Sequence, residues 1–544
     1  MFHLTGFGVR NLRSLRDTGL IPLKPITILV GKNSAGKSSF ARILPLLKQS
    51  AERRRQAPVL WYGRLVDFGS FSDAVSSFAE AKEIEFRFQF SAPNPLHVTA
   101  RYDLLPDADL VSEEEHIELR MTLGTIGDED RTVLRRLELT AFGIQVRLIV
   151  ENPRQLQLVV DDTPARIPEE AVLLQTPGNV LPQLHLVYRS PTQPGTVTET
   201  SYFKTKSRPT LGTLEVRAAI SNFVHGNTSS ESKDELADRL PLSTAPLLLR
   251  YCRELEGTSE FWRNSIEAVR DPDKNFNFHR LRKALVLYKF EALLSQLDDA
   301  LEATCSAVSY LEPLRATAQR YYRREEVSID ELDPKGLNTA FFVQGLTPRD
   351  RDSLNEWLKS TFGFTLSVKF AGGHTSLHIT TSENTGSRNI ADVGLGYSQI
   401  APVAIQLWAA RRLQGRPTSP QLRAAWRARN RSFRSTVVIE QPELHLHPAY
   451  QAQLADVFAA CVAPHLSDGT ENRRPLLRII AETHSPNLIG RLGELVNNKR
   501  LDPEDVQVIV FELDDSDNPV TTLKTARFDE SGVLRNWPIG FFDH

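Results

Sequence analysis

Residues 31–38 read Gly31-Lys32-Asn33-Ser34-Ala35-Gly36-Lys37-Ser38 and match the pattern G-x-x-x-x-G-K-[ST] in full. Those residue types at that spacing suit a polyphosphate. Glycines let the backbone wrap closely, so that successive N–H groups and a helix N-terminus point at the anion. Lys37 would reach the β- and γ-phosphates, and the Ser38 hydroxyl would ligate Mg²⁺. A glycine-rich turn can match by chance, but the context here is the one the chemistry needs. Ile26-Thr27-Ile28-Leu29-Val30 reads as a buried strand before the loop, and Ser39-Phe40-Ala41-Arg42-Ile43-Leu44 begins a helix after it.

A second constellation lies near the other end of the chain. Thr436-Val437-Val438-Ile439-Glu440 is an apolar strand ending in a carboxylate, the form of a Walker B strand, and Glu440 is expected to hold Mg²⁺ directly or through water. Gln441-Pro442-Glu443-Leu444-His445-Leu446-His447-Pro448 follows it. The next apolar strand, Leu477–Ala481, runs into Glu482-Thr483-His484-Ser485. Two successive strands thus end in polar groups, at the carboxyl edge where α/β sheets place ligands.

The whole chain sets the bounds. At 544 residues it holds about two to four domain-sized units. It is 41% apolar and 24% charged with a net charge of −2, so any nucleic-acid binding must be local rather than global. Cys252, Cys305 and Cys461 are far apart, which argues against a disulfide framework or structural zinc and fits a reducing cytosol. No apolar run approaches the ~20 residues of a membrane span. Charged and polar residues interrupt the N-terminus from Arg10, unlike a signal peptide. The expectation is a cytoplasmic protein with no membrane partner.

Several elements must position these groups. Short strands are expected at Leu4–Val9, Leu20–Leu23 and Ile26–Val30. The helix after the glycine-rich loop should run to about Arg55, kinked at Pro45. Ile84–Phe90 alternates as a half-buried strand. Residues 97–200 are strand-like, Asn227–Glu235 reads as a loose loop, and 245–306 is helical by its spacing of apolar residues. Strands and turns return over 311–400, with helices at Arg351–Ser360 and from about Ile400 to Leu413. The last 110 residues or so alternate as an α/β unit.

Against that background the sequence resembles an ABC-type ATPase head of the SMC/RecF/OLD-like class. Within it, the chain looks like the bacterial AAA family ATPases of phage-defence operons, a wider group that includes the Septu-type ATPase. The ordered matches are VRNLRSL, GKNSAGKSS, VDFGSFSDAV, YLEPLRATAQRYY, ADVGLGYSQIAPV, EQPELHLHP, ETHS and NWPIGFFD. The resemblance implies an α/β fold: a P-loop head of mixed sheet and flanking helices, interrupted by a strand-rich and then helical insertion. Residues 1–90 and 309–544 would form the head, and 91–308 the insertion, strand-rich over 91–210 and helical over 211–308. ATP and Mg²⁺ are the implied cofactors. Gly31, Asn33, Ser34, Ala35, Gly36, Lys37, Ser38 and Ser39 would cradle the nucleotide. Gly394, Gly396, Ser398 and Gln399 correspond to the signature that touches the γ-phosphate on the opposite subunit of a head-to-tail homodimer. His484 would be the switch histidine, and His447 stands where such proteins carry the D-loop aspartate. A separate effector such as a nuclease is the implied partner.

One departure stands out. Where most ABC ATPases carry a catalytic glutamate after the Walker B acid, this chain has Gln441, whose amide orients water but accepts no proton at neutral pH. Glu443 is the rival base, beyond the stiff Pro442. No Q-loop glutamine is evident, and Ser70 or Asp73 is the candidate for that place. His445 and His447 lack a third Cys or His nearby and read as a loop pair rather than a metal site. The arginines at 411, 412, 416, 423, 427, 429, 431 and 434 could form a nucleic-acid surface or simply a solvated helix face. Asp161-Asp162 and Asp514-Asp515 read as turns rather than nuclease carboxylates.

Overall fold

The computed structural model describes residues 2–537 apart from 54–56, 100–113, 126–129, 153–154, 170, 179, 189–209, 324–328, 330, 382–383, 413–434, 464–476 and 514–519. Strand β1 (His3–Leu12) precedes β2 (Ile26–Gly31), the loop, and helices α1 (Lys37–Ala41) and α2 (Ile43–Ala51). The break between the helices falls at Arg42, not at Pro45. Proline lacks the N–H that would pair with the Ala41 carbonyl and crowds that carbonyl, so the helix yields one turn before the ring.

An antiparallel meander follows: β3 (Ile84–Pro93), β4 (Glu114–Thr125), β5 (Thr132–Ala141), β6 (Ile144–Asn152) and β7 (Gln155–Val160). Its first strand pairs with β1, so the meander extends the sheet that carries the glycine-rich loop. Helices then run from Thr213 to α3 (Phe290–Ser306). One of them, Ser230–Arg239, occupies the segment expected to be a loose loop. Ser229 caps it by accepting from the Ser232 N–H, so the serines mark a helix start rather than its absence.

The chain re-enters the sheet at β8 (Val308–Leu311). Helix α4 (Leu395–Arg412) begins five residues earlier than its apolar spacing suggests. Then come β9 (Ser435–Glu440), α5 (Pro448–Val462), β10 (Leu477–Glu482), α6 (Pro486–Asn497), β11 (Val506–Leu513) and β12 (Thr521–Phe528). Strands β11, β2, β10, β9 and β8 lie side by side in that order, all parallel, and β12 closes onto β11 antiparallel. The result is a mixed α/β sheet with flanking helices.

Both faces of the parallel part are covered, which is why its strands read as continuous apolar runs. Ile26, Ile28 and Val30 of β2 face one core, shared with α4, α5 and α6; Leu29 faces the other, with Phe40 and Leu44. The rings of Phe7 and Phe40 stack at 4.8 Å and 14°, fixing α1 against β1. That contact aims the start of α1 at the carboxyl edge of the sheet. Among the described residues, no helix is long and apolar enough to cross a membrane.

Candidate active site

The glycine-rich loop joins the end of β2 to α1. Gly31 has φ +152°, and a Cβ there would lie 2.3 Å from the Phe511 carbonyl oxygen on β11; Gly36 caps α1 at φ +84°. Neither place admits another residue without strain. Asn33 and Ser34 are exposed, Ser34 at φ +65°, while Ala35 is buried. Lys37 is buried, and its ammonium donates to the carbonyls of Gly31 (3.0 Å) and Lys32 (2.8 Å). The lysine therefore caps main-chain oxygens inside the loop, 3.8 Å from the Glu482 carboxylate. Burial lowers its pKa and Glu482 opposes that shift. Ser39, next along α1, is half-buried.

The two acids ending β9 and β10 have different partners. Glu482 pairs in register with Leu29 of β2 on one side and with Glu440 of β9 on the other. It is thus one strand from the glycine-rich strand, and Glu440 is two. The Ser38 hydroxyl donates to Glu482 Oε2 at 2.7 Å. Glu440, the acid expected beside the metal, accepts from Arg42, whose Nε and Nη2 each donate at 2.7 Å, and from the Tyr310 hydroxyl at 2.7 Å. It is 1% exposed. Glu482 carried no signal in the sequence beyond ending an apolar strand, because its importance depends on strand order.

The loop after β9 turns sharply. Gln441 adopts φ +43°, a left-handed conformation unusual for a residue with a side chain. Its N–H donates to the Glu482 carbonyl at 2.8 Å, and its carbonyl accepts from Arg315 Nη2 at 2.7 Å. Glu443 folds back and accepts from the His484 N–H at 2.7 Å; burial raises its pKa. His484 is half-buried, and burial, then the charge of Lys37, lowers its pKa, so the imidazole is neutral at pH 7. His484 Nε2 is buried and has no hydrogen-bond partner. Ser485 caps α6 through the Leu488 N–H, which fixes the exit from this turn.

The signature-like segment is only partly presented to solvent. Gly394 and Leu395 are exposed and Gly396 is half-buried, but Ser398 and Gln399 are buried inside α4. The Ser398 hydroxyl donates to the Leu395 carbonyl at 2.8 Å, and the Gln399 amide donates to the Arg315 carbonyl at 3.0 Å. Both side chains thus make hydrogen bonds within their own chain. Arg315, within the YLEPLRATAQRYY segment, is a further residue of this neighbourhood. It is buried, links Gln399 to Gln441, and burial pushes its pKa down to about 10.

Other candidates resolve simply. Ser70 and Asp73 form a reciprocal capping box on a short helix, which accounts for both side chains. His447 caps α5, its Nδ1 accepting from the Ala449 N–H at 3.3 Å, and His445 is exposed. Asp161 and Asp162 form a turn at positive φ. Residues 413–434, with most of the arginine cluster, Asp514-Asp515 and residues 538–544 lie outside the described residues; Arg412 at the edge of the cluster pairs with Asp350 at 2.6 Å.

A Mg²⁺–nucleotide fits this donor set. Mg²⁺ prefers a few hard oxygens and completes its shell with phosphates and water, and Ser38 and Glu482 offer such oxygens beside a lysine and backbone N–H groups. Among the described residues there is no cluster of three or more His, Cys, Asp or Glu side chains able to hold a metal alone.

A P-loop at the carboxyl end of a parallel strand, with acids ending the next two strands, is the arrangement of a P-loop ATPase fold. The family models agree on the ATPase part: "AAA ATPase domain" matches residues 3–132, and "AAA domain, putative AbiEii toxin, Type IV TA system" matches 221–490. "Protein of unknown function (DUF3696)" matches 501–544. No curated protein matches the chain. Among solved structures, it is similar to the Smc head domain of Pyrococcus furiosus with an extended coiled coil, bound to the C-terminal domain of ScpA (11% identity, 96% of each chain covered, TM-score 0.30). It is also similar to the SMC head domain of Thermotoga maritima (9% identity, 96% of this chain and 98% of that one, TM-score 0.30). At such scores these superpositions carry no argument, and the ATPase fold rests on the family models, the site and the sheet.

Proposed function

We propose that this protein binds and hydrolyses ATP with Mg²⁺, closing as a homodimer over the nucleotide, and that the closed state controls a separate effector such as a nuclease in anti-phage defence. The carrying observation is the meeting of Lys37, Ser38 and Glu482 with His484, whose buried Nε2 lacks a partner. In this reading Lys37 exchanges its loop carbonyls for the β- and γ-phosphates. The neutral His484 offers Nε2 to the γ-phosphate, and Glu443 holds the histidine by its main chain. Bound Mg²⁺ would neutralise developing phosphate charge, with Ser38 beside it. Gln441 orients the attacking water without taking its proton, which makes turnover slow. The head pieces 1–90 and 309–544, the insertion 91–308, and a cytoplasmic location belong to the same reading.

Gln441 also supports a second reading, an ATP-dependent scaffold with little turnover; a RecF/SMC-like repair ATPase that contacts DNA through 411–434 is the third. Steady-state ATPase measured with and without DNA separates them. Turnover that responds to a partner protein supports the effector-controlling enzyme. Binding without turnover supports the scaffold, and stimulation by DNA supports the repair ATPase.

A further inference from the structure

We infer that Glu482, not Glu440, is the carboxylate that serves the Mg²⁺ of the bound nucleotide, and that Glu440 is a structural acid locked by Arg42 and Tyr310. The inference rests on the ATP-binding reading above and adds the division of labour between the two acids.

Three observations carry it. First, the hydroxyl that a P-loop turns toward the metal is Ser38, and it touches Glu482 at 2.7 Å. Second, Glu440 has both oxygens in strong contacts: Oε1 accepts from Arg42 Nε and the Tyr310 hydroxyl, and Oε2 accepts from Arg42 Nη2. A bidentate arginine–carboxylate pair, with the carboxylate 1% exposed, is costly to break, because either partner would be left charged and partly desolvated. Third, strand order favours Glu482. Neighbouring strands lie about 4.8 Å apart, so the end of β9 is roughly 10 Å across the sheet from β2, and the end of β10 is half that. Lys37 lies 3.8 Å from the Glu482 carboxylate, so a cation already stands at the place that the metal would take.

The test is calorimetric titration of ATP into the full chain, with Mg²⁺ and with EDTA, for the parent, Glu482→Gln and Glu440→Gln. Thermal unfolding confirms that each variant is folded. Removing a metal-side carboxylate typically costs on the order of 10–100-fold in metal affinity. The expected result is that Glu482→Gln loses the Mg²⁺-dependent gain in ATP affinity while metal-free ATP binding stays within about 3-fold. Glu440→Gln should keep the Mg²⁺-dependent gain. Mn²⁺ spectra in the ATP complex should change with Glu482→Gln and not with Glu440→Gln. If Glu482→Gln does not fold, Glu482→Asp carries the same comparison, with weakened Mg²⁺ dependence and unchanged metal-free binding. Loss of the Mg²⁺ gain in Glu440→Gln and its retention in Glu482→Gln overturns the assignment and leaves the ATPase reading standing. A parent that binds ATP neither with nor without Mg²⁺ overturns both.

Discussion

The guanidinium of Arg315 donates to the main-chain carbonyl of Gln441 at 2.7 Å, while its own carbonyl accepts from Gln399 at 3.0 Å. One buried residue thus ties the signature-like helix α4 to the turn that follows β9. Arg315 Nε and Nη1 are buried without partners, an arrangement of high cost unless nearby charge offsets it, and Glu443 is the acid that faces it. Arg315→Lys keeps the charge but cannot hold the same fork. We expect ATP affinity within about 3-fold of the parent and single-turnover hydrolysis slower by roughly 10²-fold, since small misplacements of a water-positioning group cost that much. Rapid-quench measurement at saturating Mg-ATP checks it.

Lys37→Ala should remove most ATP affinity, because it deletes the side-chain cation of the phosphate cradle. Fluorescent ATP-analogue binding within a few-fold of the parent would count against the P-loop assignment.

Gln441 and Glu443 compete for the role beside the attacking water. A general base contributes about 10²–10⁴-fold in rate. If Gln441 limits turnover, Gln441→Glu speeds single-turnover hydrolysis with little change in binding. Glu443→Gln then acts through the His484 N–H that Glu443 holds. A Gln441→Glu enzyme no faster than the parent, beside a dead Glu443→Gln, would pass the base to Glu443.

Assembly is testable at Gly394, which is exposed with nothing within 4 Å of a Cβ. Unlike the buried Ser398, it tolerates a large side chain without disturbing α4. Gly394→Arg and Lys37→Ala chains, each inactive alone, should regain about one working site per mixed dimer if the site is shared between copies. Mixtures that stay inactive at every ratio argue for a self-contained site.

The pH dependence follows from His484. Burial, reinforced by Lys37, depresses its folded pKa below the ordinary histidine value of 6.5. As pH falls through 6.5 the unfolded histidine gains a proton and the folded one does not, so the group costs stability below that pH and none above it. Activity that needs the neutral ring should therefore persist below pH 6.5. His484→Asn should remove that acid limb from the pH–rate profile and the associated loss of thermal stability.

The glycine-rich loop was legible in the sequence because its chemistry is local: a strand, a fixed glycine spacing, Lys37 and Ser38 lie within thirteen residues, and the positive φ at Gly31 and Gly36 follows from the residue type. The strands ending in Glu440 and Glu482 were legible for the same reason, as apolar runs buried on both faces. Local signals erred where a tertiary or capping contact intervened. Ser229 turned a polar loop into a helix start, and Pro45 broke its helix one turn upstream at Arg42.

What the sequence by itself determined is therefore the α/β fold class and the inventory of the candidate site: the phosphate loop, two acids, Gln441 and His484. Which partners each acid takes was decided only by the tertiary structure. Periodicity records which faces of a strand are buried, but it carries no information about which strand lies beside which. Once β10 is inserted between β2 and β9, Glu482 lies against Ser38 and Glu440 is left to Arg42 and Tyr310, residues 398 and 130 positions away along the chain. The same long-range closure buried Ser398 and Gln399 and brought Arg315 to Gln441, because hydrogen bonds between distant segments leave no periodic trace in the residues that make them.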